Sequence, residues 1–350
     1  MNIIVQKFGG TSVSTEDRRK QVAIKVKEAI ENGFTPIVVV SAMGRKGQPY
    51  ATDTLLTLID DKFKETNRNS KDLLMCCGEI ISSVVVANAL YNEGIEAVPL
   101  TGGQAGIITD DNFCEAEYIS IDIDRLLSVV REGKVPVVTG FQGITKDGYF
   151  TTLGRGGSDT TACILGNAVK AKEIEIYTDV DGIMTADPRI VEDASLIDEI
   201  TYNEVFQLAD QGAKVIHPKA VDLAKKGNIP LFIKNTLSES KGTLISNDIM
   251  CNERRYITGI TYLNNRIQVR IRLSENSNIK AYQSLLSILA KNHISLDLIN
   301  IFPAHQFFTV DKSEKENVSS ILDLVGIKYS IIEECSTIAI VGAGMTGVPG

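Results

Sequence analysis

The sequence predicts an α/β protein: a mostly parallel sheet covered by helices, followed by a smaller ferredoxin-like βαββαβ unit. Three observations carry this. Through the first two thirds of the 350 residues, short unbroken apolar runs alternate with amphipathic stretches of ten or more residues, the pattern of strands buried on both faces and joined by helical crossovers. After about residue 256 the pattern changes to the period-two alternation of "RIQVRIRL" followed by the amphipathic "KAYQSLLSILAKN". Small and hydroxyl residues gather at the ends of the first region's strands, where open α/β sheets bind ligands.

The elements follow in order. "NIIVQKF", "TPIVVVSAM", "EAVPLTG", "VPVVTGFQG" and "EIEIYTDVDG" read as buried strands. Amphipathic periodicity predicts helices over 15–32, 53–66, 70–92, 122–132, 158–169 and 203–211. Thr11, Ser12 and Ser14 are candidate caps for the first of these. "PLFIKNT" (230–236) closes the layer, and "LSESKGTLISNDIMCNER" reads as loop and linker. In the second unit, "ISLDLINIF" and "QFFTVD" are strands, a helix spans about 312–324, and "KYSIIEE" and "TIAIVGA" are two further strands, the last beginning at 336. Such a unit commonly binds small effectors and pairs with itself.

Composition excludes several classes. The chain is 43% hydrophobic and 23% charged, the balance of a soluble globular protein. A net charge of −8 argues against a nucleic-acid partner, which favours a basic face. No unbroken apolar run reaches the length of a membrane span, and no basic segment followed by an apolar block marks a secretory signal. The six cysteines, at 76, 77, 114, 163, 251 and 335, show no zinc-ligand spacing and read as reduced residues of a cytoplasmic protein. Three histidines (His217, His293, His305) argue against a histidine-built metal site or triad, and His217 reads as structural.

Two stretches carry candidate chemistry. In "VQKFGGTSVST" (5–15) a strand breaks into Lys7-Phe8-Gly9-Gly10-Thr11-Ser12. The glycine pair is either a tight bend or a phosphate cradle, in which bare amides approach an anion and the lysine adds a point charge. It matches neither the P-loop nor the dinucleotide fingerprint. The hydroxyl-rich ends of the other strands favour the cradle. In "TLGRGGSDTTA" (152–162) an arginine stands between glycines, with Ser158-Asp159 leading into a helix. The guanidinium fork suits a carboxylate or phosphate, while Asp159 taken alone is also a helix cap. "YTDVDGIMTADPRIV" (177–191) carries Asp179, Asp181, Asp187 and Arg189. That loop is read as a polar surface turn, a magnesium contact or a ribose contact.

With "KFGGTS" (7–12), "VVVSAMGR" (38–45), "CGEIISS" (77–83), "TTLGRGGSDTTA" (151–162), "YTDVDGIMTADPR" (177–189) and "QGAKVIHPKA" (211–220) in this order, the chain resembles the aspartate kinases of the amino-acid kinase superfamily over essentially its whole length. "YATDTLL" (50–56) and the late "VGAGMTGVPG" make it most similar to the monofunctional, diaminopimelate-sensitive Firmicute type. The resemblance implies a three-layer αβα sandwich over 1–245 and an ACT unit over 256–335. It implies phosphorylation of the side-chain carboxylate of L-aspartate by ATP with Mg²⁺, with no resident metal. Lys7 would neutralise charge on the transferring phosphoryl group and Asp159 would orient it. Gly9, Gly10, Thr11 and Ser12 would cradle phosphate, with Ser12 counted on the substrate side, and Ser41 would lie in a second phosphate-facing loop. Thr52, Glu79, Arg155 and Ser158 would hold aspartate, Arg155 at its α-carboxylate and Glu79 at its α-ammonium. Thr178, Asp179, Asp187, Arg189 and Lys214 would hold the nucleotide. Met184 stands where the family often has a tyrosine, so it is left out of the site.

The same resemblance implies effector binding at Asp297 and Asn300 by diaminopimelate, lysine or threonine, and a homodimer or higher oligomer formed through ACT units. The family continues beyond the point where this sequence stops, so residues 336–350 would begin a second, incomplete ACT unit, with weakened feedback control and impaired assembly expected. Two alternatives differ in class. A related kinase of glutamate, N-acetylglutamate, carbamate or UMP generally lacks this motif pairing with an ACT unit. A non-catalytic amino-acid sensor would have lost Lys7, Arg155 or Asp159, and all three are present.

Overall fold

The computed structural model describes residues 1–213, 215–247, 256–272 and 279–342, with the backbone alone for 279–283. It divides into two compact units, Ile260–Ile340 and the remainder.

The first unit begins with β1 (Ile3–Phe8), buried along its whole length, which accounts for its unbroken apolar character. The order continues with α1 (Glu16–Glu31), β2 (Thr35–Val40), α2 (Thr52–Leu55), α3 (Asp61–Thr66), α4 (Arg68–Asn92), β3 (Ala97–Leu100), β4 (Ile107–Thr109), β5 (Tyr118–Ile121), α5 (Asp124–Arg131), β6 (Val135–Thr139), β7 (Gln142–Ile144), β8 (Phe150–Thr152), α6 (Gly157–Val169) and β9 (Glu173–Thr178). β10 (Glu199–Thr201), α7 (Tyr202–Asp210), α8 (Pro218–Gly227), β11 (Leu231–Asn235) and β12 (Thr243–Ser246) complete it.

Eight of these strands form one sheet in the order β10-β12-β11-β9-β1-β2-β6-β3. Its pairings are parallel except for β11 with β12. Side chains alternate across a strand. Accordingly Ile37 and Val39 of β2 join the core that includes α5 through α8, while Val38 and Val40 join the core beneath α1 and α4. The sheet is thus covered on both faces, as the sequence predicts.

Local differences from the sequence reading have identifiable causes. The helix expected over 53–66 is α2, a 3₁₀ turn at Leu56–Leu58 and α3, interrupted at Ile59, which takes an extended backbone. "VPVVTGFQG" is not one strand. Phe141 turns the chain with φ of 71°, so β6 stays in the main sheet while β7 enters a second sheet, β5-β4-β7-β8. The cap of α1 is Thr15, whose hydroxyl accepts from the Arg18 amide at 3.3 Å, while the Ser14 hydroxyl donates to the Thr11 carbonyl. The presumed linker contains β12. α4 is long and apolar enough to cross a membrane by length and composition, but half of that stretch is buried inside the protein, where it packs on α1, β3, β6 and β8.

The second unit holds β13 (Gly259–Arg272), α9 (Ile279–Lys291), β14 (Leu298–Ile301), β15 (His305–Asp311), α10 (Lys315–Val325) and β16 (Tyr329–Val341). The sheet order β14-β15-β13-β16 is the ferredoxin-like arrangement. Val269, Ile271, Leu289, Phe308 and Leu322 form its core. The two strands read at 328–334 and from 336 are the single strand β16, with Glu334 in the left-handed region at φ of 57°.

Candidate active site

β1 lies between β2 and β9, parallel to both, so all three release their loops at the same edge. Within β1, Ile3 and Val5 belong to the core containing α6, and Phe8 to the core beneath α1. Period two therefore aims Lys7 toward α6. Its Nζ meets Asp159 Oδ1 at 2.7 Å, with both side chains nearly buried. Asp159 sits in the first turn of α6, where the helix dipole favours a negative charge.

The glycine pair is needed where it stands. A Cβ on Gly10 would lie 2.5 Å from the Ala42 carbonyl oxygen and 2.9 Å from that of Gly44. The Gly44 amide donates to the Gly10 carbonyl at 2.9 Å, so the loop after β2 rests directly on the turn after β1. On the other side the Gly9 amide donates to the Tyr177 carbonyl at 3.1 Å.

A cavity of about 310 Å³ opens beside the Lys7–Asp159 pair. It is lined by Lys7, Ser41, Thr52, Glu79, Phe141, Gly154, Arg155, Gly156, Gly157, Ser158 and Asp159. Glu79 comes from the buried face of α4 and is 3% exposed. Its Oε1 accepts from the Ala42 amide at 3.1 Å, and its Oε2 has no hydrogen-bond partner among the described residues. Burial pushes its carboxyl up to about 8, only partly offset by the amide. Arg155 is exposed, on a turn whose Gly156 has φ of 71° and whose Cβ, were there one, would run into the His217 ring. One cavity therefore offers a cation held by a carboxylate, an exposed guanidinium, a buried carboxylate and hydroxyls. That set suits a small zwitterion carrying a further anionic group.

The sequence profile of the amino acid kinase family matches residues 2–235. Aspartokinase 1 of Bacillus subtilis is 43% identical over 358 residues, covering 100% of this chain and 88% of that protein. The aspartokinase of Geobacillus stearothermophilus is 36% identical, covering 100% of this chain and 86% of that protein. The chain belongs to the aspartokinase family. Among solved structures, Escherichia coli aspartokinase III in complex with aspartate and ADP superposes with a TM-score of 0.77 at 26% identity, covering 99% of this chain and 89% of that one. The aspartate kinase of Clostridium acetobutylicum gives 0.75 at 25% identity, covering 98% and 88%.

Of the sequence-derived candidates in this aspartokinase-family chain, Lys7, Ser41, Thr52, Glu79, Arg155, Ser158 and Asp159 line the one cavity. Gly9, Gly10 and Thr11 form the adjoining turn. Ser12 is 1% exposed and does not line the cavity; its hydroxyl lies 2.6 Å from that of Thr236. Thr178 and Asp179 follow β9, the Thr178 hydroxyl donating to Asp179 at 3.2 Å, and Asp179 pairs with Arg45 at 2.5 Å. Asp187 and Arg189 lie farther along that loop and pair with each other at 2.6 Å. Met184 forms an isolated bridge with Leu196. Lys214 lies outside the described residues, as does most of "VGAGMTGVPG". In the second unit Asp297 pairs with Arg266 at 2.8 Å, and Asn300 stands opposite Phe307.

Three residues that position the site were not found by sequence reasoning. Thr236, 1% exposed, ties Ser12 to the loop after β9, its amide donating to the Thr178 carbonyl at 3.1 Å. Asp72, fully buried on α4, accepts from the Cys114 amide, the Thr152 amide and the Thr152 hydroxyl at 2.8–2.9 Å, anchoring β8 just before the Arg155 turn. A carboxylate inside an apolar helix was the available signal. Phe141 lines the cavity from a left-handed conformation that no composition rule marks. His217 caps α8, its Nδ1 accepting from the Lys219 amide, as its structural reading requires.

Proposed function

We propose that this chain is an ATP-dependent aspartate kinase that converts L-aspartate to 4-phospho-L-aspartate, the first step toward lysine, diaminopimelate, methionine and threonine. One observation carries the reading: the Lys7–Asp159 pair shares its cavity with Glu79 and Arg155. A carboxylate nucleophile is already ionised at neutral pH, so the chemistry needs positioning and charge neutralisation rather than a strong base. Arg155 takes the substrate α-carboxylate through its fork. Glu79 takes the α-ammonium, whose charge offsets the cost of ionising a buried carboxyl. Thr52 and Ser158 bound the same pocket.

Lys7, steadied by Asp159, meets the transferring phosphoryl group. The amides of Gly9, Gly10 and Thr11, with Ser41, receive phosphate oxygens, and Thr178, Asp179, Asp187, Arg189 and Lys214 serve the nucleotide. Among the described residues no group of three or more His, Cys, Asp or Glu side chains could hold a metal ion. Mg²⁺ would enter as the nucleotide's companion, held chiefly by the phosphates, and would neutralise phosphate charge there.

The second unit is read as an ACT module that takes an amino-acid effector near Asp297 and Asn300 and associates with a second copy. Exposed Leu298, Ile299 and Ile301 on β14 and Ile338 and Ile340 on β16 support that association. The cysteines of the described residues are all free, which supports a cytoplasmic setting.

The test is ATP- and Mg²⁺-dependent acyl phosphate formation, trapped as the hydroxamate, with L-aspartate against L-glutamate and N-acetylglutamate. Aspartate turnover is expected, falling at least about 10²-fold in Lys7→Ala. Folded protein that binds ATP but turns over none of the three acids overturns the reading.

A further inference from the structure

Arg45, close to the site, is given no role by the reading above. Arg45 leaves the loop after β2 and meets Asp179, in the loop after β9, at 2.5 Å. Those two strands flank β1 on opposite sides. The contact therefore bridges strands two places apart and crosses the edge where β1 releases Gly9 and Gly10. The fit of that edge is close: Gly44, the neighbour of Arg45, donates to the Gly10 carbonyl, and Gly9 donates to Tyr177, two residues before Asp179. A phosphate chain cradled by the glycine turn has to pass this bar.

The bar is weak. The side chains are 72% and 43% exposed, and exposed pairs of this kind are worth about 0–1 kcal/mol. Arg45 uses only Nη2 on Asp179, leaving most of its five N–H donors unused. A phosphate offers a guanidinium two parallel charge-assisted bonds where this carboxylate takes one. Asp179, for its part, is free to turn to a ribose hydroxyl or to the nucleotide's cation once released.

Resting on the kinase reading, we propose that Arg45 is a phosphate-binding residue: it exchanges Asp179 for the terminal phosphates of the nucleotide and holds them above Lys7. In the nucleotide-free protein the pair keeps the two loops in register, and nucleotide entry converts the bar into a clasp on the phosphates.

Arg45 is exposed, so Arg45→Gln is expected to fold normally, and Arg45→Lys retains the charge without the fork. The experiment measures KM for ATP and kcat in the aspartate assay. It also measures Kd for ADP and for adenosine by calorimetry, for wild type and both variants. Arg45→Gln is expected to raise KM for ATP and Kd for ADP about tenfold or more, to leave Kd for adenosine unchanged, and to be partly rescued in Arg45→Lys. Wild-type ADP affinity in Arg45→Gln overturns the proposal. So does equal weakening of ADP and adenosine, which would assign Arg45 to loop geometry alone. Wild type that binds ADP through Arg45 yet phosphorylates no acid would sink the aspartate reading while leaving the phosphate assignment standing.

Discussion

Glu79→Gln separates what the buried carboxyl does for the fold from the role proposed for it at the substrate. The folded carboxyl sits near 8, against 4.5 for an ordinary glutamate, with burial as the main cause. The folded state therefore binds a proton that the unfolded chain has already lost. Stability is intact below about pH 4.5 and declines as pH rises toward 8, because folding must drag a proton back onto the group. At pH 7 the ceiling on this penalty is about 3 kcal/mol at 1.36 kcal/mol per pH unit, and relaxation of the interior reduces it to roughly 1–3 kcal/mol. Glutamine keeps the oxygen that accepts from Ala42 and carries no such penalty. We expect Glu79→Gln to match wild type in urea midpoint at pH 5 and to exceed it at pH 8, the gap opening steadily between. On the role proposed for Glu79 at the α-ammonium, the same variant should raise KM for aspartate about tenfold or more. Parallel stability curves across that pH range would refute the argument, since the buried charge would then cost nothing.

Gly10→Ala places a methyl against two backbone carbonyls, neither of which can step aside as a side chain would. A loss of about 1–3 kcal/mol in thermal unfolding, with impaired ATP binding, is expected. Thr236→Val deletes the hydroxyl that joins Ser12 to the Thr178 loop and strands the Ser12 hydroxyl in a buried place. KM for ATP should rise several-fold and thermal stability fall by about 1–3 kcal/mol, with Thr236→Ser restoring both; a valine variant with wild-type KM would remove Thr236 from the site.

What the sequence displays and what it hides follows from the range of the forces involved. The central strands were legible because burial on both faces leaves an unbroken apolar trace, and the edge where their loops gather was legible through Gly9-Gly10, Ser41 and Thr178. Lys7, Glu79, Arg155 and Asp159 stood out through family motifs, but their convergence on one cavity comes from strand alternation and helix phase. The second sheet was missed because β4, β7 and β8 are three residues each, too short for a period. The break at Phe141 is a backbone choice made by tertiary packing. α8 had a readable start in His217-Pro218, since proline favours the first helical position, yet "KVIHPKA" was read only as a motif. Thr236 and Ser12 are 224 residues apart, and no local pattern reports such a bond.

The helix α4 has a further consequence during synthesis. Emerging from the ribosome, Arg68–Asn92 presents a long, largely apolar helix broken by charges before the sheet that will shelter it is complete. Glu79 lies near its middle, where an ionised side chain opposes lipid insertion by about 3 kcal/mol, and Asp72 adds to that one turn from the start. Glu79, which lines the cavity, and Asp72 thus also make the nascent helix a poor fit to the bilayer. Replacing Glu79 by leucine would remove the central charge and leave the nascent helix more apolar along its length.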